Sequence, residues 1–232
     1  MRVLVVENYD NTWLGQVETA LAEAGAEIDL CRAQQGDPLP VGANGHDAMV
    51  VLGGGQNALA DAEYPYFPRL IDLLRDFERQ DRAVLGICLG SQIIARAFGA
   101  ENHIGTASEF GWHEVSLTED AKADPVLGAL PASFPIFQWH DDTFSLPERA
   151  VHLATNAATP NQAFRIGRAT YGIQFHFEAD RPLVRRWNAA FATYIGERHP
   201  DWLGRFEDEA ERHGPGADAV GLAIARAWVK AI

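Results

Sequence analysis

A cysteine set between two glycines, a histidine two residues before a glutamate, and a run of three glycines are the parts of this 232-residue sequence with chemical potential. The cysteine lies in Val84-Leu85-Gly86-Ile87-Cys88-Leu89-Gly90-Ser91-Gln92, where an apolar run passes through Gly-x-Cys-x-Gly into a helical pattern. This is the cysteine form of a nucleophile elbow. A sharp strand-to-helix turn brings two backbones close together, so the residues two before and two after the nucleophile must be small; here they are Gly86 and Gly90. Such a turn projects Cys88 at a helix N-terminus, where the helix dipole favours the thiolate. It also leaves the N–H of Leu89 free to stabilise an oxyanion.

A thiolate nucleophile needs a base. Thr170-Tyr171-Gly172-Ile173-Gln174-Phe175-His176-Phe177-Glu178 offers one, because a β-rich run ends in His-x-Glu. Residues two apart on a strand share a face, so Glu178 can orient one imidazole nitrogen of His176 while the other faces the thiol. A metal reading of the pair would need further His or Cys at ligand spacing, and Cys31, His46 and His103 lie in unrelated segments. No metal and no cofactor is therefore expected. Leu52-Gly53-Gly54-Gly55-Gln56-Asn57 follows another apolar run, and glycines there let backbone approach a ligand closely. The N–H of Gly54 or Gly55 would be the second oxyanion donor. Gly53, Gly55 and Ala58 also fit G-x-G-x-x-A, but no helix starts at once and the acid about twenty residues on, Glu78, lies inside a helical pattern. The absence of G-K-[ST] excludes a phosphate-binding loop of that type.

The elements that must position these groups read as an alternation. Strands are predicted at Arg2–Val6, Glu27–Cys31, Asp47–Leu52 and Ala83–Ile87. Between them, Leu14, Val17, Leu21 and Ala24, then Phe67, Leu70, Ile71, Leu74 and Phe77, recur at helical spacing, and Ser91 to Phe98 continues the series as a helix. Strand–helix alternation predicts an α/β fold with an open, mostly parallel sheet and helices on both faces. After Gly99 the rhythm changes to short strands without helices between them: Glu114–Leu117, Ile136–Trp139, Val151–Ala154, Gln162–Ile166 and Thr170–Phe175. These predict antiparallel additions to the sheet. A helical C-terminal extension, about 196–232, carries the apolar stripe Val220, Ala223, Ile224, Ala227, Trp228 and Ala231, read first as a core-facing helix and second as a partner surface. No linker or repeat divides the chain, so 1–232 is expected to form one domain.

Composition narrows the partners. A formal net charge of −13 disfavours nucleic acid, which requires a basic stripe, and anionic membrane surfaces. No apolar stretch reaches spanning length. The N-terminal run reads as a buried strand and not a signal peptide. A cytoplasmic, reducing setting follows, in which Cys31 and Cys88 stay unpaired and one of them is free to be catalytic.

Together the three glycines after a strand, Gly-Ile-Cys-Leu-Gly-Ser-Gln and Phe-His-Phe-Glu resemble the class I glutamine amidotransferases, and stand-alone domains similar to the glutaminase part of GMP synthase most closely. Glu109-Phe110-Gly111-Trp112 resembles the family's E-x-G-W, and Trp139-His140-Asp141-Asp142 its W-H-G-D. The likeness runs from about Met1 to Ile195. It implies a flavodoxin-like fold, a Cys88–His176–Glu178 triad and a γ-glutamyl thioester on Cys88. Gln92 and the backbone of Gly54 would hold substrate, and Glu109, Phe110, Gly111, Trp112 and His140 would line the pocket. Gly55, Asn57 and Asp141 depart from the family's usual Pro, Ser and Gly, which bears on substrate contacts. The function implied is hydrolysis of the γ-amide of glutamine, with ammonia passing to an acceptor on a partner synthetase chain. A free-standing γ-glutamyl peptide hydrolase and a non-catalytic glutamine-binding module are the alternatives.

Overall fold

A computed structural model describes residues 1–232. Four parallel strands come first: β1 (Arg2–Val6), β2 (Glu27–Cys31), β3 (Ala48–Val51) and β4 (Ala83–Ile87). The helices α1 (Gln16–Glu23), α2 (Phe67–Arg79) and α3 (Leu89–Ala97) alternate with them. The chain then adds β5 (Asn102–His103), β6 (Glu109–Leu117), β7 (Ser133–His140), β8 (Thr143–Phe144), β9 (Val151–Thr155), β10 (Ala163–Ile166) and β11 (Thr170–Ile173) before α4 (Arg181–Ala190), α5 (Ala192–Arg198) and α6 (Trp202–Lys230).

Nine strands form one sheet in the order β2-β1-β3-β4-β11-β10-β9-β6-β7. β11 returns to the sheet parallel to β4, and the strands beyond it run antiparallel. This is the mixed sheet that the alternation followed by short strands predicts, with the flavodoxin-like character that the resemblance implies. Both faces of the parallel part are covered, so its strands are apolar on successive residues. Val3 and Val5 belong to the core shared with α1 and α6, while Leu4 and Val6 belong to the opposite core with α2 and α3. Val220, Ile224 and Trp228 are buried on the first of these faces, so the C-terminal stripe is core-facing; Ala223 is exposed. No helix is long and apolar enough to cross a membrane.

Two element boundaries differ from the sequence expectation in ways that matter to the site. β6 begins at Glu109, so the Glu109–Trp112 segment lies within a strand. β11 ends at Ile173, and His176 and Glu178 lie in the turn beyond it, not on a strand. Their shared direction therefore does not come from strand alternation.

Candidate active site

The elbow is built from three close approaches. Cys88 has φ 52° and ψ −111°, a conformation that L-residues rarely hold without surrounding support. Its N–H donates to the carbonyl of Ile173 at 2.9 Å, tying the turn to β11. A β-carbon on Gly86 would sit 2.5 Å from the carbonyl group of Gly90, and one on Gly90 would overlap the backbone oxygen of Val51. The two glycines are thus the condition for α3 crossing so close over β3 and β4. Cys88 lies at the carboxyl ends of the parallel strands, where open α/β sheets place their ligands.

His176 is delivered to the same point by contacts far away in sequence. Its N–H donates to the carbonyl of Phe137, and its carbonyl accepts from Ala179, closing the turn. The N-terminus of α1 clamps that turn from outside. The Gln16 amide donates to the carbonyl of Phe177 at 2.9 Å, and the Gln16 N–H donates to the carbonyl of Glu178 at 2.9 Å. Gly221 of α6 passes so close to the Phe177 carbonyl that a β-carbon could not be placed there. Within this clamp, Nδ1 of His176 meets Oε1 of Glu178 at 2.7 Å, with both side chains buried.

His176 Nε2 is buried without a hydrogen-bond partner and faces Cys88. The Cys88 thiol makes only a weak 3.7 Å contact, to the carbonyl of Trp139. Cys88 and His176 are thus adjacent without a tight hydrogen bond between them, the looseness common in candidate pairs before a ligand binds. Burial alone would pull the His176 pKa down. The Glu178 carboxylate and the facing Cys88 outweigh it and push the pKa up to about 10. The sign gives a stability prediction. His176 contributes fully below its ordinary unfolded value near about 6.5, and that contribution is lost as pH rises through about 10. Thermal denaturation across this alkaline range is expected to show a falling midpoint that a His176→Asn variant does not share.

The glycine run lies against Cys88. A β-carbon on Gly53 would stand 3.5 Å from Cβ of Cys88 and 3.4 Å from the His176 ring. Asn8 anchors this loop through the carbonyl of Leu52 at 2.7 Å, the Gln56 amide donates back to the Asn8 carbonyl, and Tyr66 donates to the Asn8 amide oxygen. Gly54 and Gly55 line the cavity, and their N–H groups donate to no protein acceptor. The N–H of Leu89, in the first turn of α3, has no intrahelical acceptor.

The remaining sequence candidates lie elsewhere. The amide of Gln92 is turned to the Gln174 side chain and the Asp142 carbonyl behind the elbow. Glu109 is buried, accepting from Asn156 and Gln162 and lying 3.2 Å from Nε2 of His140, its register partner across β6 and β7. Phe110 stacks on His199, Gly111 approaches Trp202, and Trp112 packs among Phe137, Trp202 and Phe206. None of these lines the cavity over Cys88. That cavity, about 200 Å³, is walled instead by Tyr9, Thr12, Trp139, Trp187, Phe191 and Tyr194 around Cys88, His176 and the glycines. Of these walls the sequence reading includes Trp139, in Trp139-His140-Asp141-Asp142, but not Trp187, Phe191 or Tyr194. Trp187, Phe191 and Tyr194 recur at helical spacing, and that was the available signal.

Comparison with known proteins identifies the family. Residues 4–182 match the model of the family described as glutamine amidotransferase class-I. A glutamine amidotransferase-like protein of Salmonella typhimurium is 33% identical over 67% of this chain, a match spanning 66% of that protein's length. Gamma-glutamyl peptidase 3 of Arabidopsis thaliana is 29% identical, with 72% of this chain and 68% of the relative covered. A glutamine-hydrolysing GMP synthase subunit from Methanosarcina barkeri is 30% identical, with 77% and 87% covered. A crystal structure of a glutamine amidotransferase from Thermotoga maritima superposes with a TM-score of 0.88 at 27% identity, covering 99% of this chain and 96% of that one.

Proposed function

Starting from the chain's membership of the class I glutamine amidotransferase family, we propose that it hydrolyses the γ-amide bond of glutamine or of a γ-glutamyl compound through a thioester on Cys88. The observation that carries this reading is the buried His176–Glu178 pair presenting the free Nε2 to an elbow cysteine. The Cys88 thiolate attacks the γ-carbonyl carbon, and the developing oxyanion turns towards the N–H groups of Leu89 and of Gly54 or Gly55. His176 gives its proton to the departing nitrogen as the C–N bond breaks. Water then attacks the thioester and returns a proton to His176, releasing glutamate and regenerating the thiolate. Glu178 holds the ring and stabilises the imidazolium.

Release of ammonia to a partner synthetase is one use of this chemistry, supported by the similarity to a separate GMP synthase subunit. Free-standing hydrolysis is the other, supported by the similarity to a γ-glutamyl peptidase. Glutamate release from glutamine and from a panel of γ-glutamyl amides tests the common step. Labelling of Cys88 by a glutamine analogue separates a competent site awaiting a partner from one that never turns over. Turnover insensitive to loss of Cys88, or neither turnover nor labelling, would count against the proposal.

Glu178→Gln is expected to lower kcat by about 10²–10⁴-fold, because the amide neither stabilises the imidazolium nor enforces its tautomer. It also removes the largest influence holding the His176 pKa up, leaving burial to pull it down. The alkaline limb of the kcat/KM profile therefore moves to lower pH in this variant. An unchanged rate and profile would show that Glu178 does not orient the base.

A further inference from the structure

Hydrolysis at Cys88 leaves the amine half of the substrate unnamed, and the walls of the cavity bear on it. We infer that this site prefers γ-glutamyl amides whose amine carries an aromatic or bulky apolar group over glutamine itself. The inference rests on the Cys88–His176 chemistry proposed above and adds the identity of the leaving group.

The direction of departure follows from the proton. His176 must protonate the leaving nitrogen, so the amine exits on the His176 side of the γ-carbonyl, while the carbonyl oxygen turns to the glycine loop. On the His176 side the structure is aromatic. The Trp187 ring packs edge-on against His176 with centroids 5.1 Å apart. Trp139 lies 5.8 Å from Trp187 and 5.4 Å from Phe191, and Tyr194 continues the wall 6.3 Å from Trp139. No Lys, Arg, Asp or Glu lines the cavity. Ammonia would gain nothing from such a wall, since aromatic surface binds apolar area and ring edges and offers a small polar product no partner.

Aromatic faces also attract cations, but the rim argues against a charged amine. The Arg198 guanidinium already stands over the Tyr194 ring at 5.3 Å, and Asp141 is engaged by Arg198 at 3.2 Å. A second cation entering there would meet a like charge and find no free carboxylate. Phe191 is only partly buried and Tyr194 is exposed, so each keeps ring surface open to a ligand beside its packing contacts.

The reaction balances as amide plus water giving glutamate plus free amine. The C–S bond forms at the γ-carbonyl carbon, the C–N bond breaks as that adduct collapses, and water oxygen then replaces sulfur on the same carbon.

The test measures kcat/KM for glutamate release by the full chain from four compounds: γ-glutamyl-benzylamide, γ-glutamyl-ethylamide, glutamine, and the γ-glutamyl amide of 1,4-diaminobutane. The benzylamide is expected to exceed the ethylamide and glutamine by about tenfold or more, as apolar pockets discriminate on this scale. Phe191→Ala, and Tyr194→Ala at the exposed rim, are expected to lower the benzylamide-to-ethylamide ratio. That ratio is insensitive to how much of a variant folds. Equal efficiencies, or preference for glutamine or the diamine derivative, would overturn the inference while leaving the hydrolase standing. Turnover of none of the four would overturn the inference, and a failure of the glutamine analogue to label Cys88 as well would overturn the hydrolase.

Discussion

Cys88→Ala is expected to reduce turnover of every γ-glutamyl amide by at least about 10⁴-fold, because the thiol that would form the thioester at the γ-carbonyl carbon is gone. The side chain is small, and the fold should survive its loss. Cys88→Gly is equally inactive on this reading, yet the two variants should differ in stability. With φ 52° and ψ −111°, position 88 holds any residue with a β-carbon under strain of about 1–3 kcal/mol, which glycine escapes. The glycine variant should therefore unfold at higher denaturant concentration than the alanine variant, by about 1–2 kcal/mol after the entropic cost of glycine. Measuring both separates chemistry from conformation. A retained rate in either variant removes Cys88 from the nucleophile position, and equal midpoints would mean that the elbow stores no strain there.

The legibility of this site in the sequence follows how local each feature is. The elbow could be read because its whole logic is contained in Gly86–Gly90: a strand, two glycines and a helix. The parallel strands were equally plain, as buried runs such as Val3–Val6 have few other uses. His176 and Glu178 were recognisable as a pair, but the reason for their pairing was not. Strand alternation would have served, and instead the residues sit in a turn held by Gln16, which is 161 positions away, and by the close passage of Gly221. Contacts of that range leave no local pattern. The same holds for the cavity wall, assembled from the loop after β1, the end of β7 and the helices α4 and α5. Glu109 and His140 show the converse. Their motifs stand out in the sequence, but the structure engages them with each other and with Asn156 and Gln162, outside the cavity over Cys88.

Gly90→Ala is expected to be among the most damaging single-methyl additions in the chain. The new β-carbon would overlap the carbonyl oxygen of Val51, which is backbone and cannot rotate away. β3 is held on both sides, by β1 and by β4, so relief has to come from α3 lifting off the sheet. Displacing a packed helix costs about 3 kcal/mol or more, or a fall in Tm of about 6–12 °C for a chain of this size. Activity should fall further than stability explains. Cys88 and the N–H of Leu89 both ride on the start of α3, and a shift of about 1 Å in reacting groups can cost about 10²-fold. Gly204→Ala is the matched control, because a β-carbon there meets nothing within 4 Å and the position lies inside α6. It should be neutral or slightly stabilising, as alanine is the better helix former. A Gly90→Ala protein with the melting point and kcat of the parent would mean that α3 does not rest on β3 as closely as the elbow requires, and the thiolate would lose the rigid support on which its reactivity depends.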